Sequence, residues 1–407
     1  VSNKESYNLP GMVRGNNLET VRQLNLSMIL RMVHHSGSIQ RSVLTSRTGL
    51  NRSTIADLVG ELVALGLVDE ATAEKTKSVG RPSTVVRPNG DTVAIAVSAE
   101  MDAVTIGVVG LGGVVHDRIR YNTDEPPSAG EVVKISAAII QGIQSTRTRI
   151  VGIGVAVPGL VRGGGRVVHN APGLKWTNEC IADDLEGATN LPVIADNDAS
   201  LGVMAERLFG AGRGLDDILY LNGGTSGIGG GIISNGVALR GSAGYAGEFG
   251  HIRMNDGPGV VDNAGFSGTL EANVTRSALT EALGVGAVDA DELEQALVTS
   301  TSPVVRAVVD RQIDFLGATL GSAVSILNPE LIVLGGFLGS LYVVNPQRLE
   351  FAAARAALPA SWACVRITRA RLGSKLLLVG AAELAFAAIL SDPAGSEFIK
   401  PVELSGS

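Results

Sequence analysis

Between residues 18 and 33, apolar side chains recur at three- and four-residue spacing, at Val21, Leu24, Met28, Ile29, Met32 and Val33. That period predicts an amphipathic helix, and Gly37 ends it. A shorter helical stretch over 41–47 runs into Gly49, a turn residue, and Asn51 then stands as an N-cap for a third helix. In that helix Ile55, Leu58, Val59, Leu62 and Leu65 form one apolar stripe, which leaves Arg52, Ser53, Thr54 and Asp57 on or near the opposite face. Gly66 closes it and an extended segment follows. Residues 74–82, including Lys75, Lys77 and Arg81, form a polar basic loop before a return strand at 84–86. Beyond Pro88 the pattern changes to β-branched runs separated by glycine turns, at 92–97, 104–109, 150–157 and 192–195, with helices between them such as 199–209. Strands alternating with helices predict an α/β architecture, and the change places a domain boundary near Asp91.

Composition narrows the class. Hydrophobic residues make up 45% of the 407, but 52 glycines break them into short runs, and no stretch of about 18 uninterrupted apolar residues occurs. No membrane span is expected. Lys4, Glu5, Arg14, Glu19 and Arg22 near the start are unlike a secretory leader, so the cytoplasm is the expected location. Cys180 and Cys364 are too few and too far apart for a disulfide framework or a four-cysteine metal site, and buried free thiols are the expectation. The net charge of −7 is uneven: residues 1–90 carry 11 Lys and Arg against 7 Asp and Glu, a net +4, and the remainder carries −11. A small basic module on a larger acidic domain suits a DNA reader better than a protein coated in nucleic acid.

Helix, turn glycine, polar helix face and basic loop within seventy residues predict a winged helix-turn-helix over 1–87. The candidate DNA contacts are Arg41, Arg47, Asn51, Arg52, Ser53, Thr54 and Arg81. Arg81 is held extended by Pro82 and is placed to reach a minor groove or phosphate.

In the larger domain three stretches carry chemistry. Asn197 and Asp198 follow a strand and open a helix, so their polar groups point out of a sheet edge, where α/β folds bind ligands. Residues 221–232 join two strands through a glycine-rich turn whose N–H groups suit an anion, though a plain hairpin has the same composition. Glu248 and His251 lie three apart on a glycine-flexible segment, with Glu271 downstream. Carboxylates and an imidazole are what a polyhydroxylated sugar needs, because each hydroxyl both donates and accepts.

These stretches, with residues 152–159, 170–176 and 328–336, resemble the ROK family (repressors, open reading frames and kinases), specifically its xylose- and N-acetylglucosamine-type repressors. The resemblance spans residues 15 to 390. It implies an actin-like, ribonuclease H-like pair of lobes with a sugar in the cleft, following the winged helix-turn-helix domain. On that pattern domain two is 88–407, with lobes at about 88–205 (joined by the C-terminal helix) and about 206–380. The implied sugar contacts are Gly159, Asn170, Asn197, Asp198, Glu248, His251 and Glu271.

Two departures shape the functional expectation. Family kinases carry an Asp-x-Gly-Gly-Thr phosphate loop where this chain reads Ser98, Ala99, Glu100, Met101, Asp102; with no glycine and two added carboxylates, phosphoryl transfer is disfavoured sterically and electrostatically. Asp198, the general base of the kinases, is then expected to serve only as an acceptor. Zinc-bearing members have a Cys-x-Cys-Gly-x-x-Gly-Cys stretch where this chain reads 262–269 without a cysteine, so no metal and no cofactor is expected, and a hydrogen bond must hold His251 instead. The function expected is a non-enzymatic, sugar-controlled transcriptional repressor of carbohydrate genes, bound to operator DNA as a homodimer or homotetramer. The alternatives are an active sugar kinase with a regulatory DNA-binding appendage, and a repressor whose pocket senses a partner protein or a phosphorylated ligand.

Overall fold

The computed structural model describes residues 18–72, 84–147, 149–162, 164–255, 259–286, 288 and 290–395. The chain divides into two compact units, Val1–Pro88 with Ala388–Glu397, and Asn89–Ala387 with Phe398–Ser407. The second domain read from the sequence ran on to 407; here the last turn of the uninterrupted helix Leu376–Ser391 groups with the first unit, where the Ser27 hydroxyl donates to the Leu390 carbonyl at 2.6 Å.

The first unit has helices Leu18–Ser36, Arg41–Thr48 and Arg52–Ala64 and a three-stranded antiparallel sheet ordered Ile39–Gln40, Thr84–Pro88, Val68–Thr72, whose first strand falls between the first two helices. Gly37, Gly49 and Gly66 all adopt positive φ, which is why the turns fall there. Ile55, Leu58, Val59 and Leu62 are buried as their spacing predicts. The first helix buries only part of the stripe expected: Ile29 and Val33 are buried, but Val21 and Leu24 are 42% and 56% exposed, and Leu26 and Leu30 are buried in addition. This helix is apolar on more than one side, so three- and four-residue spacing fitted two phases. Arg81 and residues 74–82 lie outside the described residues.

The second unit holds two five-stranded sheets of the same topology. One is ordered Val193–Asn197, Ile150–Val157, Val93–Ala99, Ala103–Gly110, Val114–Asn122; the other is ordered Val237–Ala238, Gly227–Ser234, Ile218–Gly224, Leu331–Gly335, Arg366–Arg369. Each starts with a three-stranded antiparallel meander and then adds two parallel strands on the far side of its first strand. Parallel additions require crossovers. Helices Ala129–Gln144 and Ile181–Thr189 supply them in the first lobe, and Pro303–Leu327 and Pro346–Ala356 in the second. Strands 93–99 and 103–110 are buried at every position, giving near-continuous apolar runs, whereas Val114–Asn122 at the edge is mostly exposed. A small third sheet, Trp176–Glu179, Val167–Ala171, Leu160–Arg162, extends the first lobe.

The helix Gly373–Ser391 is long and apolar enough to cross a membrane by composition. Its Leu378, Val379, Ala381, Ala382, Phe386 and Ile389 are buried in the protein. The two cysteines, expected to be buried, are both exposed: Cys180 sits at the start of helix Ile181–Thr189, and Cys364 follows the short helix Pro359–Trp362. An apolar preference decides little for a side chain at a helix end.

Strand Ile150–Val157 approaches the backbone of helix Leu376–Ser391 so closely that a Cβ on Gly154 would stand 1.7 Å from the Ala381 carbonyl oxygen. Gly154→Ala is expected to destabilise the second unit at or beyond the upper end of the roughly 1–3 kcal/mol found for overpacked cores. A denaturant titration reads this as a lower midpoint.

Candidate functional site

One cavity of about 270 Å³ lies in the second unit. Its lining includes all seven residues singled out from sequence: Gly159, Asn170, Asn197, Asp198, Glu248, His251 and Glu271. They come from separate elements across more than a hundred residues. Gly159 follows strand Ile150–Val157, and a Cβ there would meet the Asn170 carbonyl oxygen at 2.5 Å, so the close passage of these segments requires glycine. Asn197 ends strand Val193–Asn197 and caps helix Asp198–Phe209, accepting from the Ser200 N–H at 3.0 Å and donating to the Gly159 carbonyl at 3.1 Å. It therefore locks the helix start against the Gly159 turn.

Asp198 opens that helix and accepts from the Ala199 N–H at 2.8 Å. Burial pushes its pKa up to about 7; the Ala199 hydrogen bond opposes this and the Glu248 charge adds to it. Glu248, 41% exposed, also titrates above the ordinary range, first from loss of water, with His251 opposing and Glu271 adding. His251 points Nε2 toward Glu248, 3.8 Å from Oε2, while Nδ1 meets Asp262 Oδ2 at 2.9 Å.

Glu271 is buried and its two oxygens accept from the Ile228 N–H at 2.7 Å and the Asn263 N–H at 3.2 Å. Glu271 also bears on the glycine-rich turn. Its Ile228 N–H is bonded to the chain's own carboxylate, and a Cβ on Gly227 would stand 2.0 Å from Glu271 Oε2, so the glycine makes room for Glu271.

Sequence reasoning passed over Pro172, Gly173, Asn222, Ser226, Asn263 and Phe266, which also line the cavity. Pro172 and Gly173 lie within a stretch already matched, next to Asn170. Asn263 and Phe266 lie in the cysteine-free stretch and gave no signal, because their position depends on how that loop folds back.

The stretch 262–269 does not fit zinc. The Asp262 carboxylate accepts from Ala264 N–H at 3.0 Å, Phe266 N–H at 2.8 Å and the Thr269 hydroxyl at 2.9 Å, besides meeting His251, and no thiolate is at hand. The turn 98–102 is likewise closed: Glu100 accepts from Thr105 at 2.7 Å and pairs with Arg120, whose Nη2 also bonds Asp102 at 2.9 Å.

Among the candidate DNA contacts, Arg47, Asn51, Arg52 and Ser53 are exposed and Thr54 is partly so. Asn51 caps the third helix, accepting from Thr54 N–H at 2.8 Å and Ser53 Oγ at 2.7 Å. The Arg41 guanidinium bonds Glu70 at 2.6 Å, because strand Val68–Thr72 returns beside the start of the second helix.

The family model for ROK matches residues 64–388, and the chain belongs to the ROK family. A xylose repressor from Caldicellulosiruptor bescii is 26% identical over 396 residues, covering 92% of this chain and 98% of the relative. A glucokinase from Streptomyces coelicolor is 31% identical over 305 residues, 69% of this chain and 94% of the relative. Among solved structures, a ROK family transcriptional regulator described as a homologue of the E. coli MLC protein superposes with TM-score 0.74 at 23% identity, covering 91% of this chain and 97% of that one. A Streptomyces griseus glucokinase in complex with glucose and AMPPNP gives 0.64 at 28% identity, covering 72% and 99%.

The folded Asp198 holds its proton up to about 7, against 3.8 ordinarily. Its stabilising contribution is complete below about pH 4 and lost as pH rises through 7. Asp198→Asn, which does not titrate, is expected to raise Tm relative to the parent at pH 8, with the gain shrinking toward pH 4.5. Equal shifts at both pH values would show that the carboxyl is not desolvated.

Proposed function

We infer that this chain is a sugar-responsive transcriptional regulator that binds operator DNA and does not phosphorylate its ligand. The observation that carries the reading is that one polypeptide joins a three-helix, three-stranded unit with a polar, Arg-bearing helix start to a cavity lined by seven residues suited to a sugar. The first unit acts as a winged helix-turn-helix, with Arg41, Arg47, Asn51, Arg52, Ser53, Thr54 and Arg81 as its DNA contacts. The likeness to a xylose repressor over nearly its whole length supports this, since the glucokinase relative aligns with only 69% of the chain. One winged helix reads few base pairs, so a two-fold oligomer in the cytoplasm is part of the proposal.

The effector is a small uncharged sugar. Asp198, Glu248 and Glu271 line the cavity, no Lys or Arg is among its described lining residues, and the glycine turn that suits an anion is bonded to Glu271. A phosphate group would enter against three carboxylates without a cation, which disfavours the phosphorylated-ligand alternative. A second reading, an active sugar kinase, draws on one observation: a carboxyl with a pKa of about 7 is suited to general-base work. Against it stands the turn 98–102, closed by Glu100, Asp102 and Arg120. ATP turnover above background with a panel of hexoses and pentoses would establish the kinase.

Operator titrations at fixed salt, with and without a sugar that acts on the parent, test the proposal. Arg52→Ala is expected to weaken operator binding by roughly 1–3 kcal/mol, about five- to a hundredfold. Asp198→Ala and Glu248→Ala are expected to keep sugar-free operator affinity and lose the sugar response, because each removes a charge-assisted hydrogen bond worth about 1.5–3 kcal/mol. A full sugar response in both variants removes them from the site; loss of sugar-free DNA binding makes them structural.

A further inference from the structure

The loop 262–269 is organised around one side chain. Asp262 has a fully buried carboxylate, and each of its oxygens is used twice: Oδ1 by the Ala264 and Phe266 N–H groups, Oδ2 by the Thr269 hydroxyl at 2.9 Å and His251 Nδ1 at 2.9 Å. The same loop delivers the Asn263 N–H to Glu271 and the Asn263 side-chain amide to the Ser226 carbonyl at 2.7 Å. It also sets the Phe266 ring edge-on to His251, centroids 6.2 Å apart. His251, one of the cavity's polar groups, is thus held by a residue that is not among its lining residues, and Glu271 is held by the neighbouring Asn263.

We propose that Asp262 is the positioning residue of the sugar site: by accepting from Nδ1–H it fixes the imidazole of His251 in one orientation and one tautomer, leaving Nε2 as a bare acceptor toward the cavity. The buried Oδ2 has only lone pairs to offer, so the nitrogen facing it must carry the proton. Burial alone raises the Asp262 pKa, but the bonds from His251, Phe266 and Thr269 outweigh it and hold the carboxylate below its usual range, so it stays ionised as an acceptor. With Nε2 as acceptor and Glu248 beside it, this wall of the cavity presents acceptors only, and it selects a ligand that donates two neighbouring hydroxyl protons.

The role in ligand binding rests on the sugar-site reading of the cavity, whereas the tautomer does not. Histidine-labelled protein contains five histidines, and the His251 signals are assigned by their loss in His251→Gln. At pH 8, nitrogen NMR is expected to find Nδ1 protonated and Nε2 bare in the parent. Asp262→Asn keeps Oδ1 for the two loop N–H groups and replaces Oδ2 by a donor, so His251 is expected to leave that single tautomer while the melting temperature stays near the parent's. Titration with D-xylose and D-glucose by calorimetry then reads function: whichever sugar binds the parent is expected to bind Asp262→Asn about tenfold more weakly, the loss of one hydrogen bond. A bare Nδ1 in the parent overturns the proposal without any variant. An unchanged tautomer or unchanged sugar affinity in a folded Asp262→Asn overturns it equally. A correct tautomer in a parent that binds neither these sugars nor any other aldose of the panel overturns the sugar-site reading instead, and with it the selection by His251.

Discussion

Gathering three carboxylates around one small cavity is the constraint on which this site depends. Like charges in a desolvated cleft repel, and each of the three is accommodated differently. Glu271 is neutralised locally by two backbone N–H donors. Asp198 sits at a helix start, with one N–H and a raised pKa. Glu248 is only partly exposed, and His251 nearby offsets some of the cost. The glycines that bring Ile228 and the 247–250 segment close are the backbone side of the same arrangement, since side chains there would collide with Glu271 or with the neighbouring strand.

The two lobes share one topology but differ in the turn between their first two strands. In the second lobe, the turn between Ile218–Gly224 and Gly227–Ser234 is glycine-rich and wraps a carboxylate. In the first lobe, the turn between Val93–Ala99 and Ala103–Gly110 carries Glu100 and Asp102, pinned by Arg120 from the edge strand. In both turns, groups of the chain itself take up carboxylates: the Ile228 N–H holds Glu271 in the second lobe, and Arg120 holds Glu100 and Asp102 in the first.

Much of this was legible in the sequence. Strand and helix order, the change of texture near Asp91, the cap at Asn51 and the glycine turns are local properties, written in periodicity and in residues with special backbone preferences. The seven cavity residues were legible through short motifs that resemble the ROK family; of these the Asn197–Asp198 pair is also local, since Asn197 caps and Asp198 follows whatever the rest of the chain does. Tertiary structure alone decided that Leu26 and Leu30 of the first helix are buried beside Ile29 and Val33 while Val21 and Leu24 are not, because all of them fit the same spacing and only packing separates them. It also decided that Arg41 is held by Glu70, that the glycine turn encloses Glu271, and that Asp262 reaches His251. These are long-range partnerships between polar groups, and a sequence that names each partner's chemistry contains no local pattern that says which of them will meet.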